Sequence, residues 1–361
     1  MYTVSDVARV RGGDRGGTRV KFAVMLPQTN RISSPEALLR AAEMAEALNF
    51  HAVSVRDHIV FNGAWITSGM RGLDIPGDDR NIFEALETLA FVASRTSRVK
   101  LGTSVIIVPN RHPLLLAKQI STLDVLSGGR VLFGIGVGPN RSQHVKAGEA
   151  VQLGKHRSNL QKEYDTFGAH GPRGPRMDEY VRAMVAIWTE ERPSFAGDFV
   201  RFDEIDVFPK PVQRPYPPIL VGGRSPAAQR RVIDYADGWI PSQVSAAEMA
   251  EGLAAIRPGR VAAGRDPELA YVGVNVHSAI ADTDEAAEAL AHPTVGHLFL
   301  EMADFRARTV TGSIDTFRDR CLEYQAAGVN YIELKPVYRD LDHLETQLRA
   351  IRDEVMPAMP D

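Results

Sequence analysis

The sequence predicts an α/β protein built as a (β/α)₈ TIM barrel with insertion segments. Three observations carry that expectation. Eight short runs rich in β-branched apolar residues recur along the chain, and nearly all are followed by a segment of helical period. No Gly-x-Gly-x-x-Gly turn follows the first run, and Gly134-Ile-Gly-Val-Gly138 at the fourth lacks that spacing. An open doubly wound sheet is the alternative, and the missing turn weakens its dinucleotide-binding form.

The elements follow in order. Residues 20–26 form the first run, and Ser34-Pro35-Glu36 then opens a helix, with Ser as N-cap and Pro at the first helical position. Leu38, Leu39, Ala42, Ala45 and Leu48 give that helix its apolar face. The second run, 52–55, ends at Arg56-Asp57-His58, and a helix over 83–94 leads to the third run, 99–108. His112-Pro113 starts a helix to about residue 126, which Ser127-Gly-Gly129 stops before the fourth run, 130–138. Regularity lapses over 139–177, and a helix then spans 178–189. The alternating aromatic stretch 194–202 reads as a hairpin. The fifth run is 217–223 with a helix from Ser225-Pro226, the sixth 237–241 with a helix over 245–263, and the seventh 271–278. A helix-rich region to residue 308 and a helix over 313–327 precede the eighth run, 329–335, and an amphipathic helix closes the chain.

At about 150 residues per domain, 361 residues suggest two or three domains, but one barrel of about 250 residues plus extensions fits equally. The expected organisation is a mobile polar arm over 1–19 and a single barrel over 20–361, with insertions near 139–177, 190–216 and 284–312. Forty-two basic against 45 acidic residues give a net charge of −3, which offers no electrostatic case for nucleic acid. Cys321 is the one cysteine, so an intramolecular disulfide and a cysteine-rich metal site are excluded. No apolar run reaches the roughly 18 residues of a membrane span, and residues 1–19 lack the apolar core of a signal peptide, so a cytoplasmic protein is expected.

In a barrel the working face lies at the C-terminal strand ends. That rule selects Asp57-His58, Thr103-Ser104-Val105, residues 134–138, Gly222-Gly223-Arg224, Ser242-Gln243 and Lys335, each of which also reads as an ordinary strand-end turn. Histidine titrates near neutrality, so the Asp57-His58 pair suits proton transfer beside a redox centre. Neither His-x-His nor His-Glu-x-x-His occurs, so no metal is expected. Gly222-Gly223-Arg224-Ser225-Pro226 joins a strand to a helix start, where free N–H groups favour an anion and Arg224 and Arg230 add charge. Gly134, Gly136 and Gly138 imply that something planar or bulky lies against bare backbone.

Taken together, eight ordered stretches resemble the luciferase-like flavin-dependent oxidoreductases, particularly the branch using the deazaflavin coenzyme F420, from about residue 20 to 350. They include the Asp57-His58 strand end, Leu101-Gly-Thr-Ser-Val105, Arg111-His-Pro-Leu-Leu-Leu-Ala-Lys-Gln119 and Leu123-Asp-Val-Leu-Ser-Gly-Gly-Arg130. The others are Gly134-Ile-Gly-Val-Gly138, Pro209-Lys-Pro-Val-Gln213, Pro217-Pro-Ile-Leu-Val-Gly-Gly223 and Ala236-Asp-Gly-Trp239. The resemblance implies a bacterial-luciferase-like barrel with an isoalloxazine-type ring at its mouth. It places Asp57 at the ring's polar edge, and Thr103, Ser104 and Val105 in a bulge behind the ring, often with a non-proline cis peptide. Gly136, Val137 and Gly138 would flank the ring, Gly222, Gly223 and Arg224 would hold the coenzyme phosphate, and His58 would be the active-site histidine. Sugar-phosphate dehydrogenases of this branch carry an acidic residue just after the fourth-strand glycines, where this chain has Pro139-Asn140. The proton partner then falls to His58 or His112, and a sugar-phosphate substrate is put in doubt.

The implied activity is hydride transfer between F420 and a small-molecule substrate by a homodimeric enzyme, with neither nucleic acid nor membrane as partner. An FMN-dependent monooxygenase is the alternative, and a non-catalytic deazaflavin-binding protein the alternative of another class. Trp65 and the loop over 62–79 are candidates for lining the pocket, although Trp65 reads more readily as a surface cap.

Overall fold

The computed structural model describes residues 19–29, 32–60, 81–138, 163–168, 171–299 and 301–361. The expected arm, the loop carrying Trp65, Pro139-Asn140 and most of the 139–177 segment lie outside the described residues.

Eight parallel strands close into a barrel. These are β1 (Lys21–Met25), β2 (Ala52–Val55), β3 (Lys100–Thr103), β5 (Val131–Gly136), β8 (Ile219–Gly222), β9 (Gly238–Ile240), β10 (Tyr271–Ile280) and β12 (Tyr331–Pro336). They neighbour one another in that order, and β12 returns to pair with β1. Around them run α1 (Pro35–Ala47), α2 (Ala85–Ala93), α3 (Pro113–Leu126), α4 (Arg173–Thr189), α5 (Pro226–Asp234), α6 (Ala246–Ala262), α7 (Asp284–Val295), α8 (Met302–Arg308), α9 (Ile314–Ala326) and α10 (Leu341–Ala350). The serines expected to start helices do so: Ser34, Ser225 and Ser245 each accept a backbone N–H three residues on. Each such cap contributes about 1 kcal/mol.

The closed sheet settles the choice against an open one, and three details depart from the sequence expectation. The third run is interrupted: after β3 the Ser104–Val105 peptide is cis, and β4 (Ile106–Ile107) resumes pairing with β5. Helix α4 starts at Arg173 rather than 178, because Pro175 falls in its first turn, where no N–H is needed. Strand β10 runs on to Ile280, and β11 (Val310–Gly312) pairs with its end outside the eight. The aromatic hairpin is present as β6 (Phe195–Ala196) and β7 (Arg201–Phe202), antiparallel with Phe195 opposite Phe202.

Side chains alternate along a strand, so every second residue enters the barrel. Ala23, Ala52, Leu132, Leu220, Ile240, Tyr271 and Tyr331 form one buried interior cluster. The same parity carries Ser54 and Arg56, Asn275 and His277, and Glu333 and Lys335 into the layers above. Val53, Leu101, Val131, Val221, Val274 and Ile332 take the other parity and pack in the larger core with the helices. Each such fully buried side chain adds roughly 1.5–3 kcal/mol.

Candidate active site at the C-terminal mouth

Asp57 and His58 sit at the end of β2 and are held separately. The Asp57 carboxylate is almost wholly buried and accepts from the Ile107 N–H at 2.8 Å and from both terminal nitrogens of Arg111 at 2.5 and 2.7 Å. Arg111 also reaches Glu84 Oε1 at 2.5 Å. Burial works against the Arg111 charge, but Asp57 and Glu84 outweigh it and hold the guanidinium above its ordinary pKa. Asp57 therefore ties the end of β2 to the segment behind the bulge.

His58 Nδ1 lies 3.3 Å from Glu163 Oε2. Glu163 is buried, and its other oxygen accepts from the N–H groups of Ile59 (2.7 Å) and Val60 (3.2 Å). Burial pushes the Glu163 carboxyl up, yet His58 and these N–H groups prevail and hold it below its ordinary value. Next to it, buried Tyr164 donates to the Val137 carbonyl at 3.2 Å and packs on Ile107. Arg173 lies 4.0 Å over the Tyr164 ring, and burial pushes the phenol up to about 12.

The glycines are filled by protein. A Cβ on Gly136 would lie 2.7 Å from Val105 Cγ2, and one on Gly222 would lie 3.0 Å from Val105 Cγ1. Gly134 faces the Thr103 carbonyl, Thr103 Oγ1 donates to the Gly134 carbonyl at 2.7 Å, and Gly138, at φ +74°, faces the Tyr164 hydroxyl. The bulky group against Gly136 and Gly222 is thus Val105, presented by the bulge.

At the β8–α5 turn, Gly223 has φ +92° and its carbonyl accepts from Trp239 Nε1 at 2.8 Å. Arg224 is half-exposed, 3.6 Å from Glu248, over a cavity of about 220 Å³ that Gln229, Trp239 and Val244 also line. His112 is exposed and caps α3, its Nδ1 accepting from the Leu114 N–H at 3.4 Å.

A polar chain crosses the mouth, joining Lys335, Ser242 and Ser104, which strand-end reasoning selected, through Asn275 and Glu333, which it missed. Lys335 Nζ donates to Ser242 Oγ at 3.1 Å, and Ser242 Oγ to Asn275 Oδ1 at 3.0 Å. Asn275 Nδ2 donates to Ser104 Oγ at 3.0 Å and to Glu333 Oε1. Inward parity on β10 and β12 is the signal that points to Asn275 and Glu333. Glu163 and Tyr164 had no such signal, because they lie in the aperiodic 139–177 stretch. Asn110, 7% exposed, has neither amide atom hydrogen-bonded among the described residues.

Residues 18–331 match the model of a family described as luciferase-like monooxygenase. An F420-dependent hydroxymycolic acid dehydrogenase from Mycobacterium tuberculosis is 31% identical over 255 residues, 70% of this chain and 62% of that protein. An FMNH2-dependent dimethylsulfone monooxygenase from Pseudomonas putida is 29% identical over 211 residues, 58% of this chain and 52% of that one. The chain thus spans between half and two thirds of these two relatives. Among solved structures, an F420-dependent secondary alcohol dehydrogenase bound to an F420–acetone adduct superposes with a TM-score of 0.73 at 19% identity, covering 95% of this chain and all of that one. This is a likeness of fold.

Proposed function

Because the chain belongs to the luciferase-like monooxygenase family, we propose that it is a coenzyme F420-dependent oxidoreductase acting on a small organic substrate at the barrel mouth. The observation that carries the reading is the wall made by the Ser104–Val105 bulge over Gly136 and Gly222, facing the polar chain across the mouth. The residues present fit the coenzyme. Val105 gives a flat apolar backing for the ring. The buried Asn110 amide, without a partner at either atom among the described residues, matches the alternating N–H and C=O groups of a flavin-type edge. The Gly222-Gly223 turn at the start of α5, with Arg224 beside it, suits a phosphate.

When bound, the deazaflavin supplies the hydride chemistry. The chain's residues bind, orient and handle the proton. Glu163 orients the His58 ring through Nδ1, and His58 exchanges the proton with the substrate. Asp57 acts on the coenzyme by holding Arg111 and the Ile107 backbone, and thereby the bulge. His112 acts as a helix cap, which leaves His58 as the acid–base group.

The FMN-dependent monooxygenase is the second reading, favoured by the dimethylsulfone monooxygenase relative. His58→Ala tests the catalytic assignment: hydride transfer should fall by a factor of 100 or more, on the order expected for a lost general acid–base, with coenzyme Kd unchanged. Unchanged turnover would remove His58 from the reaction.

A further inference from the structure

The interior of the barrel mouth is asymmetric in charge. On one side β5 and β8 present Gly134, Gly136 and Gly222 with Val105 over them. On the other, parity brings Arg56 from the end of β2 and Lys335 from β12 into the same upper layer, with His277 in register beside Lys335 on β10. Arg56 Nη2 contacts Met25 Sδ at 3.0 Å, a weak acceptor, and this is the only hydrogen bond of its five-donor guanidinium among the described residues. Arg56 is half-buried, and its remaining guanidinium donors have no hydrogen-bond partner among the described residues. Lys335 spends one of its three donors on Ser242. Neither cation has a carboxylate within 4 Å among the described residues, whereas Arg111 has Asp57 and Arg224 has Glu248.

We propose that Arg56 and Lys335 anchor an oxyanion group of the substrate, a carboxylate or a phosphate, over the polar half of the mouth. This rests on the proposed function, with the coenzyme on the glycine half and its phosphate at the Gly223 turn. Two cations left without counter-ions in one interior layer repel each other, and a bound oxyanion relieves that repulsion while taking up the open donors. Mutual effects run the same way: burial and the Arg56 charge push the Lys335 ammonium down to about 7. Glu333, one layer below, pulls both basic groups the other way, but burial outweighs it at each, and it lies beyond 4 Å of both cations. The anchor fixes one end of the substrate and so aims the other at the ring and at His58.

The test is calorimetric titration of the F420-loaded protein with inorganic phosphate and with acetate, at pH 6.5. The proposal expects one of the two anions to bind, which also tells phosphate from carboxylate. Arg56→Met and Lys335→Met should each weaken it at least tenfold, and Arg56→Lys should recover part of the loss. Coenzyme Kd should change less than threefold in all of them. Equal anion binding in wild type and both Met variants would overturn the proposal, as would anion binding lost only in Arg224→Ser, which would place it at the Gly223 turn. If F420 fails to load the wild type, the proposed function fails, and the same anion titration on the unloaded protein still reads the anchor.

Discussion

Glu163 and His58 face each other at 3.3 Å beyond the end of β2, and the same carboxylate closes on the backbone of Ile59 and Val60. One acidic side chain thereby fixes both the imidazole and the first turn beyond β2. Replacing it by Gln keeps the shape and removes the charge. Glu163→Gln should lower kcat by about tenfold or more with little change in coenzyme Kd, measured by steady-state kinetics and fluorescence titration. Glu163→Ala should also cost about 1–3 kcal/mol of stability, because the Ile59 and Val60 N–H groups lose their acceptor; urea denaturation reads this.

Val105 fills the space that side chains at Gly136 and Gly222 would need. Gly136→Ala should destabilise by about 1–3 kcal/mol through overpacking. Val105→Ala in the same chain should recover much of that stability while weakening coenzyme binding. A double-mutant cycle in urea, read beside a coenzyme titration, separates the two effects.

The Asp57–Arg111 pair is buried, with side chains 2% and 7% exposed. Asp57→Ala leaves a buried guanidinium with Glu84 alone and orphans the Ile107 N–H. A loss of about 3–5 kcal/mol is expected, and Asp57→Ala with Arg111→Met should lose less than Asp57→Ala alone. The midpoint of chemical denaturation measures both.

Part of the acid sensitivity should come from Glu46, away from His58 and Glu163. Burial pushes the Glu46 carboxyl up, but the N–H groups of Val99, Arg98 and Ser97 outweigh it and hold the group at about 2, against 4.5 unperturbed. A carboxyl depressed in the folded state stabilises above its unfolded pKa, so this contribution is present above pH 4.5 and is lost as pH falls toward 2. Glu46→Gln should flatten that part of a plot of Tm against pH.

The barrel was legible because its signals are local. Strand runs such as 52–55 and 329–335, and the caps Ser34, Ser225 and Ser245, rest on residues adjacent in sequence. The site was legible only where it coincides with a strand end, as at Asp57, His58 and Ser104. The glycines announced a close approach but not its partner, since nothing local reveals that Val105 reaches both Gly136 and Gly222. Glu163 belongs to a segment without period, and its role arises only from the folding of that segment over β2. Arg56 was visible as a residue but its direction was not: neighbouring Asp57 takes the opposite parity, so the two adjacent charges serve different faces of the wall.

The most direct test of the F420 assignment is a paired equilibrium titration of the purified protein, with oxidised F420 in one series and FMN in the other, followed by coenzyme fluorescence. The account predicts saturable F420 binding at one site per chain, weakened at least tenfold by Val105→Asp, and much weaker FMN binding. Tight FMN binding with no F420 binding would contradict it.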